Sequence, residues 1–264
     1  MQEFARPAGS RAVNLLSAML TAFFTTAVTF ALNTTAHAQL QEAQVGVGVA
    51  VETSRDLYRG VGSSYSFWPL VSIESEGFRL FANEASLKLD ERDLFDISLI
   101  GQYRLDGYDS GDSSFLSGMG NRRGALEFGI GLSSQQWFGE LSLSALTDFS
   151  SRHKGHEVAV SYGYPLALSG ARITPRVSLT WQSGDLVNYY WGVRDSEARA
   201  GRPEYVPGSS INLEVAVIYQ RQLARHHRFF GKLALLRPGT AIENSPIRDA
   251  DEPYSLAVGY LYQF

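Results

Sequence analysis

Over most of the chain, bulky apolar residues occupy every second position. In "AQVGVGVAVE", Val45, Val47, Val49 and Val51 alternate with Gly46, Gly48 and Ala50. "ALEFGIGLSS" sets Leu126, Phe128, Ile130 and Leu132 against Glu127, Gly129, Gly131 and Ser133, and "INLEVAVIYQ" repeats the pattern from Ile211 to Tyr219. Successive side chains of an extended chain point to opposite faces, so period two predicts antiparallel strands with one apolar face. No stretch beyond the first 38 residues has a convincing helical period. The fold class expected is all-β.

The composition of the second face separates a soluble sandwich from a barrel in lipid. A sandwich would carry Lys, Glu, Thr and Arg there, whereas this face is dominated by Gly, Ala and Ser with an occasional charge. Lipid accepts bulky apolar groups outside a closed barrel, and a crowded lumen wants small ones inside. Aromatics also gather where strands should end: Phe67-Trp68, Tyr103, Trp137-Phe138, Trp181, Tyr189-Tyr190-Trp191, Tyr260 and Tyr262. That placement suits interfacial girdles. Ten strong strand candidates alternate with long connections at 105–122, 183–209 and 237–253, and with short ones at 75–77, 134–136, 165–171 and 221–227. An even count with both chain ends on one side requires "FRLFANEASLKL" (78–89) to be two strands broken near Asn83-Glu84. The expectation is a twelve-stranded transmembrane barrel with a small lumen, or ten strands if 78–89 lies outside the wall.

The chain ends on "SLAVGYLYQF". Val258, Tyr260, Tyr262 and Phe264 share its apolar face, the expected signal by which a barrel presents its last strand to the assembly machinery. At the other end, Arg6 and Arg11 precede the uncharged run 15–32, and Ala36-His37-Ala38 fits a small-x-small cleavage rule. Residues 1–38 therefore read as a cleaved secretory signal, with Ala36 and Ala38 flanking the cut, and 39–264 as the barrel. Beyond the signal, no apolar run is long enough for a membrane helix. The net charge of −4 over 264 residues leaves no basic footprint for nucleic acid, and the absence of cysteine removes disulfides and thiolate metal sites.

With the strands placed, the chain resembles the MipA/OmpV family of outer-membrane proteins over essentially all of 39–264. The resemblance rests on "FWPLVSIESEGFRLFANEA", on "NYYWGVRDSEARAGRPEYVPGSSINLEVAVIYQ", the most specific block, and on "NSPIRDADEPYSLAVGYLYQF". It implies an outer-membrane location among lipid and lipopolysaccharide. It also implies a scaffold role for a murein hydrolase or murein synthase, with porin-like diffusion and surface adhesion as alternatives. The family has no established catalytic residues, so none is carried over, and no cofactor is expected.

Three constellations could bear chemistry. "SSRHKGHE" sets His153 and His156 beside Ser150, Ser151 and Glu157, but a loop of Ser, Arg, Lys and His is more simply a solvated turn than a hydrolase centre. "DGYDSGDSS" has spaced carboxylates without the geometry of a calcium loop, so no dedicated metal site is expected. "RQLARHHR" forms a basic turn, whose Arg221, Arg225 and Arg228 could dock an acidic partner on the periplasmic side. Glu127, Glu140, Arg176, Glu214 and Lys232 point inward by parity, and would either line a pore or pair with one another.

Overall fold

The computed structural model describes residues 43–92 and 94–264. The signal segment and its cleavage residues, Ala36 and Ala38, lie outside the described residues. Strands follow one another as β1 (Gln44–Arg55), β2 (Ser63–Glu74), β3 (Phe78–Phe81), β4 (Glu84–Glu91), β5 (Asp96–Tyr103), β6 (Leu126–Gln136), β7 (Gly139–Asp148) and β8 (His156–Gly163). After them come β9 (Leu166–Leu168), β10 (Ala171–Gln182), β11 (Ser210–Ala224), β12 (His227–Arg237) and β13 (Tyr254–Gln263). β8 and β9 pair with successive stretches of β10 and are one wall strand interrupted at Tyr164-Pro165. Pro165 has no N–H to give the ladder, and Tyr164 bridges the break by donating to the Pro175 carbonyl. Counted this way, the wall has twelve antiparallel strands.

The wall closes where β13 pairs with β1, from Gly46–Gln263 to Ser54–Ser255, so the sheet has no free first or last strand. The stretch 78–89 is indeed two strands, β3 and β4, turning at Ala82-Asn83. Ala82 takes a φ of 53° there. β3 is only four residues long, so its hairpin stops at Ser72 on the β2 side, although its tip meets the end of β5 at Tyr103.

The two faces divide as the alternation predicts. On β1, Val45, Val47, Val49 and Val51 are exposed while Gly46 and Ala50 are buried. Elsewhere Leu141, Leu143, Val158, Val160, Val177 and Leu179 lie outside, and Ser142, Ser161 and Ala216 inside. The Ser142 and Ser161 hydroxyls, directly opposite each other on β7 and β8, hydrogen-bond at 2.6 Å on the inner face.

Two aromatic placements differ from expectation. Trp68 is not at a strand end but in the middle of β2, facing inward. Tyr189, Tyr190 and Trp191 belong to a short helix, α1 (Gly184–Trp191), rather than to a girdle. Eight residues make barely two turns, too few for a helical period to show in the sequence. A second helix, α2 (Thr240–Glu243), is a single turn. Trp137, Trp181 and Phe264 remain on the outer surface. No helix among the described residues is long and apolar enough to cross a membrane.

Candidate functional site

The long connections fold onto one another over one mouth of the barrel. Outer-membrane barrels carry long loops outside and short turns in the periplasm, which makes this mouth the outer one. Tyr58 comes from loop 56–62, Tyr108, Leu116 and Met119 from 104–125, Leu186, Val187 and Tyr190 from α1, and Ile242 and Ile247 from 238–253. They form a single buried cluster, with Tyr58 stacked on Trp191 at 4.5 Å and set edge-on to Tyr108 at 4.7 Å. Burial pushes the Tyr108 hydroxyl up to about 12, so it stays neutral.

Charged groups tie this dome together. Arg122 donates to the Glu197 carboxylate at 2.8 Å, both buried, and also to the carbonyls of Tyr189 and Gly120 at 2.6 Å. Burial raises the Glu197 carboxyl, but Arg122 and the N–H groups of Gly120 and Arg194 outweigh it and hold the group below the usual carboxylate range. Arg202 and Arg199 donate to backbone carbonyls of 114–117, pinning two loops together.

Beneath the dome sits Glu127, the first of the inward charges, and it does not face open lumen. It is fully buried and accepts from Arg104 at 2.9 Å, His153 at 3.0 Å and Gln102 at 2.7 Å. Arg104 also reaches Asp106 and Glu157, at 2.8 and 2.7 Å. Burial opposes its charge, yet the carboxylates of Asp106, Glu157 and Glu127 hold it protonated well above the ordinary range. His153 accepts from the Gly155 N–H at Nδ1, which leaves Nε2 as the donor to Glu127. Ser150 donates to Asp148. The Ser150, His153 and Glu157 side chains thus serve three different partners and form no catalytic relay.

The remaining inward charges pair lower in the barrel. Glu140 bridges Arg172 and Arg176, and Lys232 meets Glu214 at 2.9 Å. In the acidic loop, Asp109 and Ser110 donate backbone N–H groups to Asp112 and Asn121. No cluster of three or more His, Asp or Glu suited to a metal occurs among the described residues.

At the periplasmic rim the basic turn is tighter than the sequence suggested. β11 runs to Ala224 and β12 begins at His227, so only Arg225 and His226 form the turn. Arg221 lies on the outward register of β11, while Arg228 faces inward, 3.8 Å from Glu74. A rim concavity of about 540 Å³, floored by β9 and its turn, nevertheless brings Arg172, Arg221 and Arg228 together. Arg221 and Arg225 have no ion pair among the described residues. At the chain end, Val258, Tyr260 and Phe264 are exposed on the outer face, and Leu261 and Gln263 are buried inside.

One cluster was not anticipated. Trp68, Leu70, Phe230 and Leu261 pack over the small residues of β1 on the lumen side, and Phe81 closes on Phe230 at 5.8 Å between ring centres. The signal was present in β2, where "FWPLV" is apolar on both faces.

The chain is similar in sequence to known outer-membrane proteins. OmpV, an outer-membrane protein of Vibrio cholerae, is 28% identical over 159 residues, and Omp26La of Vibrio anguillarum is 24% identical over 157. Each alignment covers 60% of this chain and 61% of the relative, so the chain spans about three-fifths of their length. An outer-membrane channel of Pseudomonas putida F1 aligns with 84% of this chain and 95% of its own, at 14% identity and a TM-score of 0.40. The family model described as MltA-interacting protein MipA matches residues 45–264, the whole of the barrel wall from β1 to β13, and the chain belongs to that family of outer-membrane β-barrels.

Proposed function

We propose that the protein is a non-enzymatic scaffold of the outer membrane, whose periplasmic rim docks a cell-wall enzyme of the murein hydrolase or synthase class. The observation that carries this reading is the distribution of free and paired charge. Glu127, Glu140, Arg176, Glu214 and Lys232 all have ionic partners inside the barrel, and the outer mouth lies under the loop dome. Paired lumen charges neutralise each other rather than select a solute. At the rim, Arg221 and Arg225 are free to meet an acidic surface, whereas Arg172 and Arg228 in the same concavity are paired with Glu140 and Glu74. The family description, that of a protein interacting with MltA, supports a partner of this kind.

The test is a pull-down from detergent-solubilised envelopes with Arg221→Ser/Arg225→Ser beside the parent protein. Exposed ionic contacts contribute about 0.2–1 kcal/mol each, so the pair should weaken capture of an acidic partner about three- to tenfold, with the loss growing smaller at high salt. Unchanged capture, combined with altered conductance from Glu214→Gln or Arg176→Gln, would instead establish a diffusion channel.

A further inference from the structure

The short β3–β4 hairpin leaves the wall incomplete. β2 pairs with β1 along all twelve residues, but with β3 only at Ser72, Ile73 and Glu74. Ala82 adds one more bond, its N–H to the Val71 carbonyl. The hairpin tip meets the end of β5, where the Tyr103 N–H donates to the Asn83 carbonyl, so above that level the edge of β2 faces the chain that leaves β5 into loop 104–125. Three inter-strand spacings separate β2 from β5, or about 14 Å between backbones. Loop contacts bridge the gap at its top, where Tyr58 meets Tyr108 and the Ser113 hydroxyl donates to the Arg59 carbonyl.

The opening lies at the depth of the bilayer. Tyr65 and Phe67 pair across β1 with Thr53 and Val51, which pair in turn with Leu256 and Val258 on the lipid face. Tyr65 is 79% exposed and Phe67 57%. Because the Val71 carbonyl points toward β3, alternation turns the peptide groups of Tyr65 and Phe67 toward the gap as well. Among the described residues, no strand pairs with them there. An open edge is tolerated at membrane depth where it lines a water-filled cavity, and here it borders the lumen. Pro69 sits on this edge with no N–H to offer, which disfavours addition of a strand from another chain.

Just inside the gap lies the apolar cluster of Trp68, Leu70, Leu261 and Phe230. Next to it lie buried polar atoms without partners. Ser72 Oγ, Gln263 Nε2 and Trp68 Nε1 are buried without hydrogen-bond partners, and Ser72 and Gln263 are 1% and 7% exposed. Gly46 of β1 pairs with both Gln263 and Ser72, so the two side chains share one row. Arg228 is in the neighbouring row, opposite Leu261 and 3.8 Å from Glu74.

We infer that the gap is a lateral window, and that a long-chain carboxylic acid enters through it from the bilayer. Its tail lies along Trp68, Leu70 and Phe230, and its carboxylate accepts from Ser72, Gln263 and Arg228, sharing Arg228 with Glu74. The dome closes the axial route, so the window is the path between the outer leaflet and the lumen. This inference does not rest on the scaffold reading.

The probe is 9,10-dibromostearate, added to the protein in nanodiscs after Trp137→Phe and Trp181→Phe remove the lipid-facing indoles. Saturable quenching of Trp68 is expected, absent from a further Trp68→Phe variant. Arg228→Gln should weaken it about tenfold, and the methyl ester of the probe should be insensitive to that change. Leu70→Glu should abolish it while the heat-dependent mobility of the barrel persists. Three results would overturn the inference: no saturable quenching, equal quenching by dibrominated phosphatidylcholine without the acid, or a disulfide-linked dimer through Phe67→Cys showing that a second copy covers the edge.

Discussion

Arg122 and Glu197 lie 75 residues apart and meet only because two outer loops converge over the barrel mouth. Removing one member of a buried pair leaves the other charged and unpartnered, at a cost of about 3–5 kcal/mol. Glu197→Gln should therefore loosen 104–125 and 183–209 while the wall strands keep their amide protection, as hydrogen exchange would read out. The pH response follows from the same group. Its folded pKa lies below the ordinary carboxylate value of 4.5, so the stabilisation is complete above that value and is lost as pH falls through the folded pKa. Asp56 has the opposite sign, since burial and the nearby Asp112 and Asp106 raise its carboxyl, and acid relieves it. Comparing the parent with Glu197→Gln isolates the first effect. Protection factors at Gly120 and Arg194 should drop as pH falls below the ordinary carboxylate value of 4.5, in the parent only.

At the scale of the strand, the closing seam between β13 and β1 depends on glycines placed against large neighbours. A Cβ at Gly259 would collide with the Phe230 ring, and one at Gly48 with the Tyr260 carbonyl. Gly259→Val should reduce the fraction of heat-modifiable barrel, measured as the unheated band on SDS gels. The outer side of the same strand has a different role. Phe264→Asp places a charge at the inner edge of the lipid face, where the direct cost is only about 0–1 kcal/mol, so loss of outer-membrane accumulation with normal export would mark a defect in assembly. Most of this architecture was legible in the sequence, because period-two alternation with Gly, Ala and Ser on the inner face follows from the wall itself. β2 was ambiguous, since Phe67 and Trp68 are both apolar and the parity of "SFWPL" does not say which faces lipid. The unbroken apolar run is itself the trace of the lumen cluster. The partners of Glu127 were not legible. Its inward direction follows from β6, but Arg104 and His153 reach it from loops whose paths no local pattern encodes.

The whole molecule is a wall closed by β13 on β1, notched above the β3–β4 hairpin, with a capped outer mouth, and its bulk behaviour should reflect closure and cap alike. A barrel without a terminal edge has no strand from which to unzip, so the protein should migrate faster unheated than boiled; identical mobility would contradict closure. The cap predicts small conductance in planar bilayers. A double change, Arg122→Ala/Glu197→Ala, should raise it by loosening the dome while leaving the gel shift intact. Conductance as large in the parent as in the double variant would show that the dome does not seal the lumen.

The dome has a consequence for how the cell surface is seen by other organisms. Its loops are pinned from within by Arg202 on the Ser117 carbonyl and by Arg122 on Glu197, and at the surface by Arg199 on the carbonyls of 114 and 115, so the outward residues share one rigid framework. An antibody or a phage receptor-binding protein would meet a composite epitope assembled from four loops distant in the chain. Sera raised against the folded barrel should bind intact cells yet fail on synthetic peptides of 104–125 or 183–209. Escape variants should fall among the exposed loop residues, while the internal arginines stay fixed.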